Sequence, residues 1–401
     1  MRSRKIHTVS SRGVQALAQA WLSEALKLED HGWKATADVI WKVVLLAAAR
    51  MSSLFAVCRD LALAPCDETV RQALFDNLPK RPITLERRLE DALCGHLPKR
   101  VATRPRKIAI DFHLIPYHGE PNRRANELYH SQPKSGTTKF HAYATACVVE
   151  AGHRYTLAAT YVHGKESMVA VLERLLERIA ARGIDIKVLL LDRGFFASHV
   201  MAFLQARKIP FVIPVVLRGR KSTKRAPKKK GQTKKQRRAT GLRAFRNKPA
   251  GRYRFTWDVG NLSVAFHVVV AYKSYNHHKT GRRHSKKLLY AVWGVSGAPV
   301  EIRELYRKRF GIEASYRQLG QARIRTCTND PVLRLFFVLV ALVLRNVWVW
   351  VWLHFTYFAE RGGPERTLHL ECLRFRRMLN WIAQAVVMEL HDGSDYFTEL
   401  G

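Results

Sequence analysis

The chain has 401 residues, 47% hydrophobic and 10% aromatic, which excludes global disorder and, being long for one small core, predicts two or three domains. Lys and Arg number 69 against 32 Asp and Glu, a net charge of +37, so a polyanionic partner is expected, with nucleic acid favoured over an anionic membrane. Six scattered cysteines (Cys58, Cys66, Cys94, Cys147, Cys327, Cys372) without a CxxC pair argue against a zinc module or disulfide framework and point to reduced cytosolic thiols.

In chain order, residues 1–104 read as a helical N-terminal DNA-binding region. The N-terminus is basic but lacks the apolar core and cleavage site of a signal peptide. "GVQALAQAWLSEALKLE" and "ATADVIWKVVLLAAARM" carry apolar residues at helical spacing. Two shorter helical segments flank "LALAPCD", where Asp67 is placed to cap the second and Glu68 lies in its first turn. That outlines a helix-turn-helix, although the second helix is not basic and an ordinary helical hairpin fits equally well.

After the basic turn "PKRVATRPRK" the period changes. "IAIDFHLIPY", "FHAYATACVVE" and "RYTLAATYVH" read as strands, followed by the helix "SMVAVLERLLERIAARG", the strand "DIKVLLLD", the helix "ASHVMAFLQARK" and the strand "PFVIPVV". This order predicts a mixed α/β sheet with packed helices, beginning over residues 105–217. Residues 218–254 then hold 17 Lys and Arg and no acid, and the core of this run is expected to be disordered without a partner. Strands resume at "RYRFTWDV", "LSVAFHVVVAYK" and "KLLYAVWGV", so residues 218–296 read as a basic β-rich insertion. The mixed domain resumes over 297–360, and 361–401 form a helical C-terminal region. The apolar stretch 331–358 approaches transmembrane length, but Arg345 and Asn346 lie in its middle, and an Arg at mid-membrane costs about 2.5–3.5 kcal/mol. A buried helix is the expectation, with no membrane association.

Three carboxylates stand out. Asp111 lies inside an apolar strand, Asp192 closes the strand "IDIKVLLLD", and Glu313 lies in "EIRELYRKRFGIEASYRQL", whose spacing is helical. Converging at one sheet edge in so basic a chain, they would call for hard divalent cations with oxygen ligands, the arrangement suited to phosphodiester chemistry. Taken singly, Asp111 could be a hydrogen-bonded sheet residue, Asp192 a helix cap, and Glu313 one exposed helix charge with Glu301 and Glu304 as rivals. His113 and His118 flank Asp111 and read as ordinary histidines rather than ligands.

The blocks "AIDFH", "LLLDRGF" and "LYRKRFGIEASYRQLGQARIRT" resemble the three catalytic blocks of insertion-sequence DDE transposases with an RNase H-like core. The third is similar to their Tyr-x2-Arg-x3-Glu-x6-Lys signature, with Tyr306, Arg309 and Glu313 at the right spacing, and the resemblance runs from about residue 105 to 355. It implies that Asp111, Asp192 and Glu313 bind two Mg²⁺ ions, with Mn²⁺ as a substitute. Tyr306 and Arg309 would contact transposon-end DNA. Gly320 stands where the signature has Lys, with Arg317 or Arg323 as substitute cations. Arg193 is expected near phosphate, with Gly194 letting the backbone turn closely past the site. The run containing Lys228, Lys229, Lys230, Arg237 and Arg238 is expected to track phosphates, and Trp257 and Trp293 are candidates to stack a flipped base, against a core role for each. Double-stranded DNA, a homodimer on that DNA and a cytoplasmic, nucleoid-associated prokaryotic setting complete the expectation. The rivals are an RNase H-like nuclease or resolvase without strand transfer and an inactive DNA-binding derivative.

Overall fold

The computed structural model describes residues 9–121, 127–150, 154–221, 238–276, 281–356 and 373–391. Among its described residues the N-terminal region folds as five α-helices: α1 (Ser11–Ala25), α2 (Ala37–Arg50), α3 (Leu54–Arg59), α4 (Asp67–Asn77) and α5 (Pro82–Cys94). Ser10 and Thr36 cap α1 and α2 by accepting from the backbone N–H of Gly13 and Val39. At α4 the expected cap is displaced by one residue. Cys66 holds the cap position with its thiol beside the Thr69 hydroxyl at 3.0 Å, and Asp67 is the first helical residue, where its charge still meets the positive helix end.

The strands follow the apolar pattern. They are β1 (Arg106–Pro116), β2 (Tyr129–Lys134), β3 (Thr137–Val148) and β4 (Thr156–Val162); then α6 (Met168–Ala181), β5 (Ile186–Leu191), α7 (Ser198–Ala206) and β6 (Phe211–Pro214). The basic stretch is followed by β7 (Gly251–Val259), β8 (Leu262–Asn276) and β9 (Arg283–Trp293), and the chain closes with α8 (Pro299–Arg307), α9 (Phe310–Leu319), α10 (Pro331–Thr356) and α11 (Phe375–Leu390).

Among the described residues these strands make one mixed sheet in the order β2-β3-β1-β5-β6-β9-β8-β7, with β4 also paired to β3. β1, β5 and β6 run parallel, joined by the crossovers through α6 and α7, and every other pairing is antiparallel. The strands that follow the basic run extend this sheet, because β9 pairs directly with β6, from Phe211 opposite Trp293 to Pro214 opposite Tyr290.

The segment that leaves β6 and returns to β7 is pinned at a neck. Arg220 N–H donates to the Thr240 hydroxyl at 3.0 Å, Thr240 N–H to the Arg220 carbonyl at 3.2 Å, and Arg243 N–H to the Arg218 carbonyl at 3.1 Å. Gly219 is required here: its φ is +107°, and a Cβ would lie 2.2 Å from the Thr240 carbonyl oxygen.

α10 crosses the interior. It is long and apolar enough to span a membrane, but 94% of its most apolar window is buried inside the protein, against α1, α2, α5, α9, α11 and β4. Arg345 and Asn346 explain the break in the middle of the apolar run. Arg345 donates to the Gln318 side chain at 3.1 Å and the Arg154 carbonyl at 2.6 Å. Asn346 accepts from Thr156 N–H at 2.9 Å and donates to the carbonyls of Thr156 at 2.8 Å and Leu93 at 3.0 Å. One side chain thus ties α10 to β4 and to the end of α5. Glu86 of α5 makes a second tie, accepting from Thr160 Oγ1, Tyr161 N–H and Arg178.

One buried histidine sets an acid limit. His141 in β3 packs on Tyr117 at 4.7 Å with both ring nitrogens enclosed and without a hydrogen-bond partner among the described residues, and burial, aided by Arg334, pushes its pKa down to about 3. The unfolded chain would take up a proton near the ordinary value of 6.5 that the folded chain refuses. Stability from this group is therefore present above pH 6.5 and is lost as pH falls towards 3. Each pH unit in that window is worth about 1.4 kcal/mol per group. Between pH 6.5 and 4.5 the loss is expected to be on the order of 2–3 kcal/mol, and urea titrations should show a smaller loss for His141→Phe.

Candidate active site

β1 and β5 lie side by side in parallel, with Ile110 opposite Leu191, so the next residue of each strand places Asp111 and Asp192 together at one end of the pair. Local backbone holds only the first of these carboxylates. Asp111 is still within β1, and its Oδ1 accepts from Phe112 N–H at 2.8 Å. Asp192 follows the last residue of β5 and precedes a single tight turn, Arg193–Phe195, to which its side chain gives no cap hydrogen bond; α7 begins further on with Ala197 at its cap. The alternative reading of Asp192 as a helix cap therefore finds no support.

Glu313 arrives from α9. The sequence predicts one helix from Glu301 through Leu319, but the structure divides it into α8 and α9. The N–H groups of Lys308, Arg309, Gly311 and Ile312 each bond three residues back, to Leu305, Tyr306, Lys308 and Arg309, which tightens the junction. The tightened turn carries Arg309 into the site. Its guanidinium lies 2.9 Å from Asp111 Oδ2, 2.6 Å from Glu313 Oε1 and 3.8 Å from Asp192 Oδ1. The three predicted carboxylates thus meet on one guanidinium. The rivals are engaged elsewhere, with Glu301 accepting from Ala298 N–H and Glu304 paired with Arg303 and Arg307.

The electrostatics follow from burial. The Asp111 pKa is pushed up to about 6, first by burial, against the pull of Arg309 and with the added repulsion of Asp192 and Glu313. Burial pulls the Arg309 pKa down, but Tyr306 and the three carboxylates outweigh it and the net shift is upward. Tyr306 is buried beneath, its hydroxyl donating to the Leu191 carbonyl at 3.2 Å and its ring 5.5 Å from the Arg309 guanidinium. It supports the last residue of β5 and the cation together.

Two residues escaped the sequence reading. Tyr316, one turn after Glu313, donates to the Asp111 carbonyl at 2.7 Å and lies 2.8 Å from Thr145 Oγ1, which fixes α9 to β1 and β3. Its position three residues beyond Glu313 was the available signal. Phe310 is exposed beside the site, its ring 5.4 Å from the Arg309 guanidinium. His113 packs on Tyr316 at 4.8 Å, and burial, with Arg323 and Lys134 nearby, drops its pKa to about 4, so it is neutral at pH 7.

The remaining predicted residues are less gathered. Arg193, Arg317, Arg323 and Arg238 are exposed side chains, and Gly320 is exposed at the end of α9. Lys228, Lys229, Lys230 and Arg237 lie outside the described residues. Trp257 stacks on Phe196 at 5.2 Å under the Arg218 guanidinium, and Trp293 stacks on Phe211 at 6.3 Å; both pack against the core. Gly194 does not play the expected part: a Cβ there would meet nothing within 4 Å, and its φ is not positive.

Three carboxylates supply only hard oxygen donors, and their convergence on a cation shows that the site is built to face positive charge. As they stand, no three His, Cys, Asp or Glu side chains among the described residues are gathered tightly enough to share one ion. The place between these three acids is filled by the guanidinium. The donor set fits divalent cations in chemistry, and the spacing is set by Arg309.

The family model described as transposase DDE domain matches residues 102–344. Comparison with curated protein sequences finds no match. Among solved structures, the chain is similar to the piggyBac transposase in a cryo-EM synaptic complex with hairpin DNA: TM-score 0.53, 11% identity, 97% of this chain and 83% of that chain covered. At that identity the likeness speaks for the fold, an RNase H-like mixed sheet with flanking helices.

Proposed function

The chain belongs to the transposase DDE domain family, and we propose that it cleaves DNA at the ends of its own insertion sequence and joins the freed 3′-OH to target DNA. The observation that carries this reading is the meeting of Asp111, Asp192 and Glu313, from two adjacent parallel strands and a later helix, on one cation. The three carboxylates would hold two Mg²⁺ ions, with Mn²⁺ as a substitute. Bound there, such ions polarise a scissile phosphate and lower the pKa of the attacking water or hydroxyl.

The chain's own groups do the positioning. β1 and β5 fix the two aspartates through backbone pairing, and Tyr316 locks α9 against β1 so that Glu313 faces them. Arg309 is the nearest cation to a phosphate lying on this site, and its planar fork suits two phosphate oxygens. In the first step a water oxygen bonds to phosphorus as the 3′ oxygen leaves. In the second, that 3′ oxygen attacks a target phosphodiester and a target 3′ oxygen leaves.

Charge on the β8–β9 ribbon supports a DNA partner. Beyond Ala271 and Leu288 the two strands are largely exposed, and Lys273 stands directly opposite Lys286, an unfavourable pairing unless an anion lies between or beside them. Tyr272 and Tyr275 are exposed on the same strand. A two-stranded ribbon has the width to enter a DNA major groove. We read the DNA-bound assembly as a homodimer in the prokaryotic nucleoid.

The test is an end-joining assay with Mg²⁺. A labelled duplex carrying the terminal sequence of the element is incubated with the protein and a supercoiled plasmid. Label covalently joined to plasmid is the expected product. Cleavage without joined product would replace this reading with that of a nuclease or resolvase.

A further inference from the structure

Arg309 occupies the place of a cation. Its side chain is only 7% exposed, while Asp192 and Glu313 beside it are 47% and 42% exposed, so an ion can reach those carboxylates from solvent without unfolding the site. The bridge is also incomplete. The Nε of Arg309 is buried without a hydrogen-bond partner among the described residues, and one guanidinium cannot neutralise three carboxylates. On the solvent side the exposed ring of Phe310 lies 5.4 Å from the guanidinium in this bridged state, a cation–π contact that does not depend on the three carboxylates.

Resting on the reading of the three carboxylates as metal ligands, we propose that Arg309 is an internal counter-cation that must leave the triad before divalent ions enter. In the ion-free chain it screens the mutual repulsion of Asp111, Asp192 and Glu313 and keeps them apart at guanidinium spacing. Divalent ions therefore compete with a covalently tethered cation, which lowers their apparent affinity. A DNA phosphate offers the displaced guanidinium a new anionic partner, so phosphate binding favours the arrangement that ions require. Ion loading and DNA binding are then coupled through the exchange of one side chain, and by linkage each strengthens the other by the same factor.

The experiment is Mn²⁺ titration of the full chain, followed by the electron paramagnetic resonance signal of free Mn²⁺, with and without a short DNA duplex. Wild type, Arg309→Gln, Arg309→Lys and Asp192→Asn are compared, with thermal unfolding to check the fold. Without DNA, Arg309→Gln is expected to bind Mn²⁺ about tenfold tighter than wild type, and duplex to tighten binding by wild type but not by this variant. Arg309→Lys, which keeps the charge but cannot bridge three acids, is expected in between and serves if the glutamine variant unfolds. If the Arg309 variants bind Mn²⁺ no tighter than wild type while Asp192→Asn loses it, the carboxylates are ligands and Arg309 is a fixed bridge, which overturns the proposal alone. If Asp192→Asn binds Mn²⁺ as wild type does, the metal-ligand reading fails and the proposal with it.

Discussion

Asp192→Asn is expected to lower metal-dependent DNA cleavage by about 10³-fold or more while leaving stability within about 0.5 kcal/mol of wild type. The two halves of this expectation come from the same geometry. Asp192 is half exposed, its side chain makes no cap hydrogen bond, and its closest ionic contact among the described residues is 3.8 Å away, so the fold gains little from its charge. The substitution keeps size and shape but replaces an anionic oxygen with an amide nitrogen that cannot ligate a hard cation. Nicking of supercoiled plasmid in Mg²⁺, alongside urea unfolding, checks both halves. Cleavage within tenfold of wild type would remove Asp192 from the chemistry. Asp111 is the less clean probe, since its buried carboxylate also holds Arg309 and the Phe112 N–H.

Asn346→Ala is expected to destabilise the fold by on the order of 3–5 kcal/mol without any direct effect on DNA chemistry. The amide satisfies one N–H and two carbonyls at a place where α10, β4 and the end of α5 meet with no access to solvent. Removing it leaves those backbone groups buried and unpaired and adds a cavity, two costs of the same sign. A lowered urea midpoint with an unchanged slope is the expected signature. A loss under 1 kcal/mol would mean that α10 repacks to satisfy those groups.

The core strands were legible because each is a short apolar run bounded by turn residues, and the parallel β1–β5–β6 unit follows from the helices between them. β2 was not legible: "YHSQPK" is polar, exposed and interrupted by Pro133, and it is a strand only because it pairs with the start of β3. The continuity of the sheet through β9 was equally hidden, since a run of strands after a basic segment looks the same whether it starts a new sheet or joins an old one. At the site, the order of Asp111, Asp192 and Glu313 along the chain was visible, and so was the one-face spacing of Tyr306, Arg309 and Glu313. The position of Arg309 between the acids was not, because it depends on a tightened turn at Lys308–Arg309 and on strands far away in sequence. The role of Tyr316 is hidden for a related reason: its partners, Asp111 and Thr145, are met only through tertiary contact.

The neck at Arg218–Arg220 and Thr240–Arg243 carries a consequence for how this family member can vary. Because backbone hydrogen bonds hold the two ends of the basic segment together, the sheet is insulated from whatever chain lies between them. For any flexible segment whose ends are already joined, added length costs only a logarithmic entropy, roughly 0.6 kcal/mol for each doubling. Selection can therefore add or remove lysines and arginines between Arg220 and Thr240 at little thermodynamic penalty, changing the charge offered to a polyanion while β6 and β7 keep their register. The neck makes the charge of the protein an adjustable quantity and its catalytic geometry a fixed one.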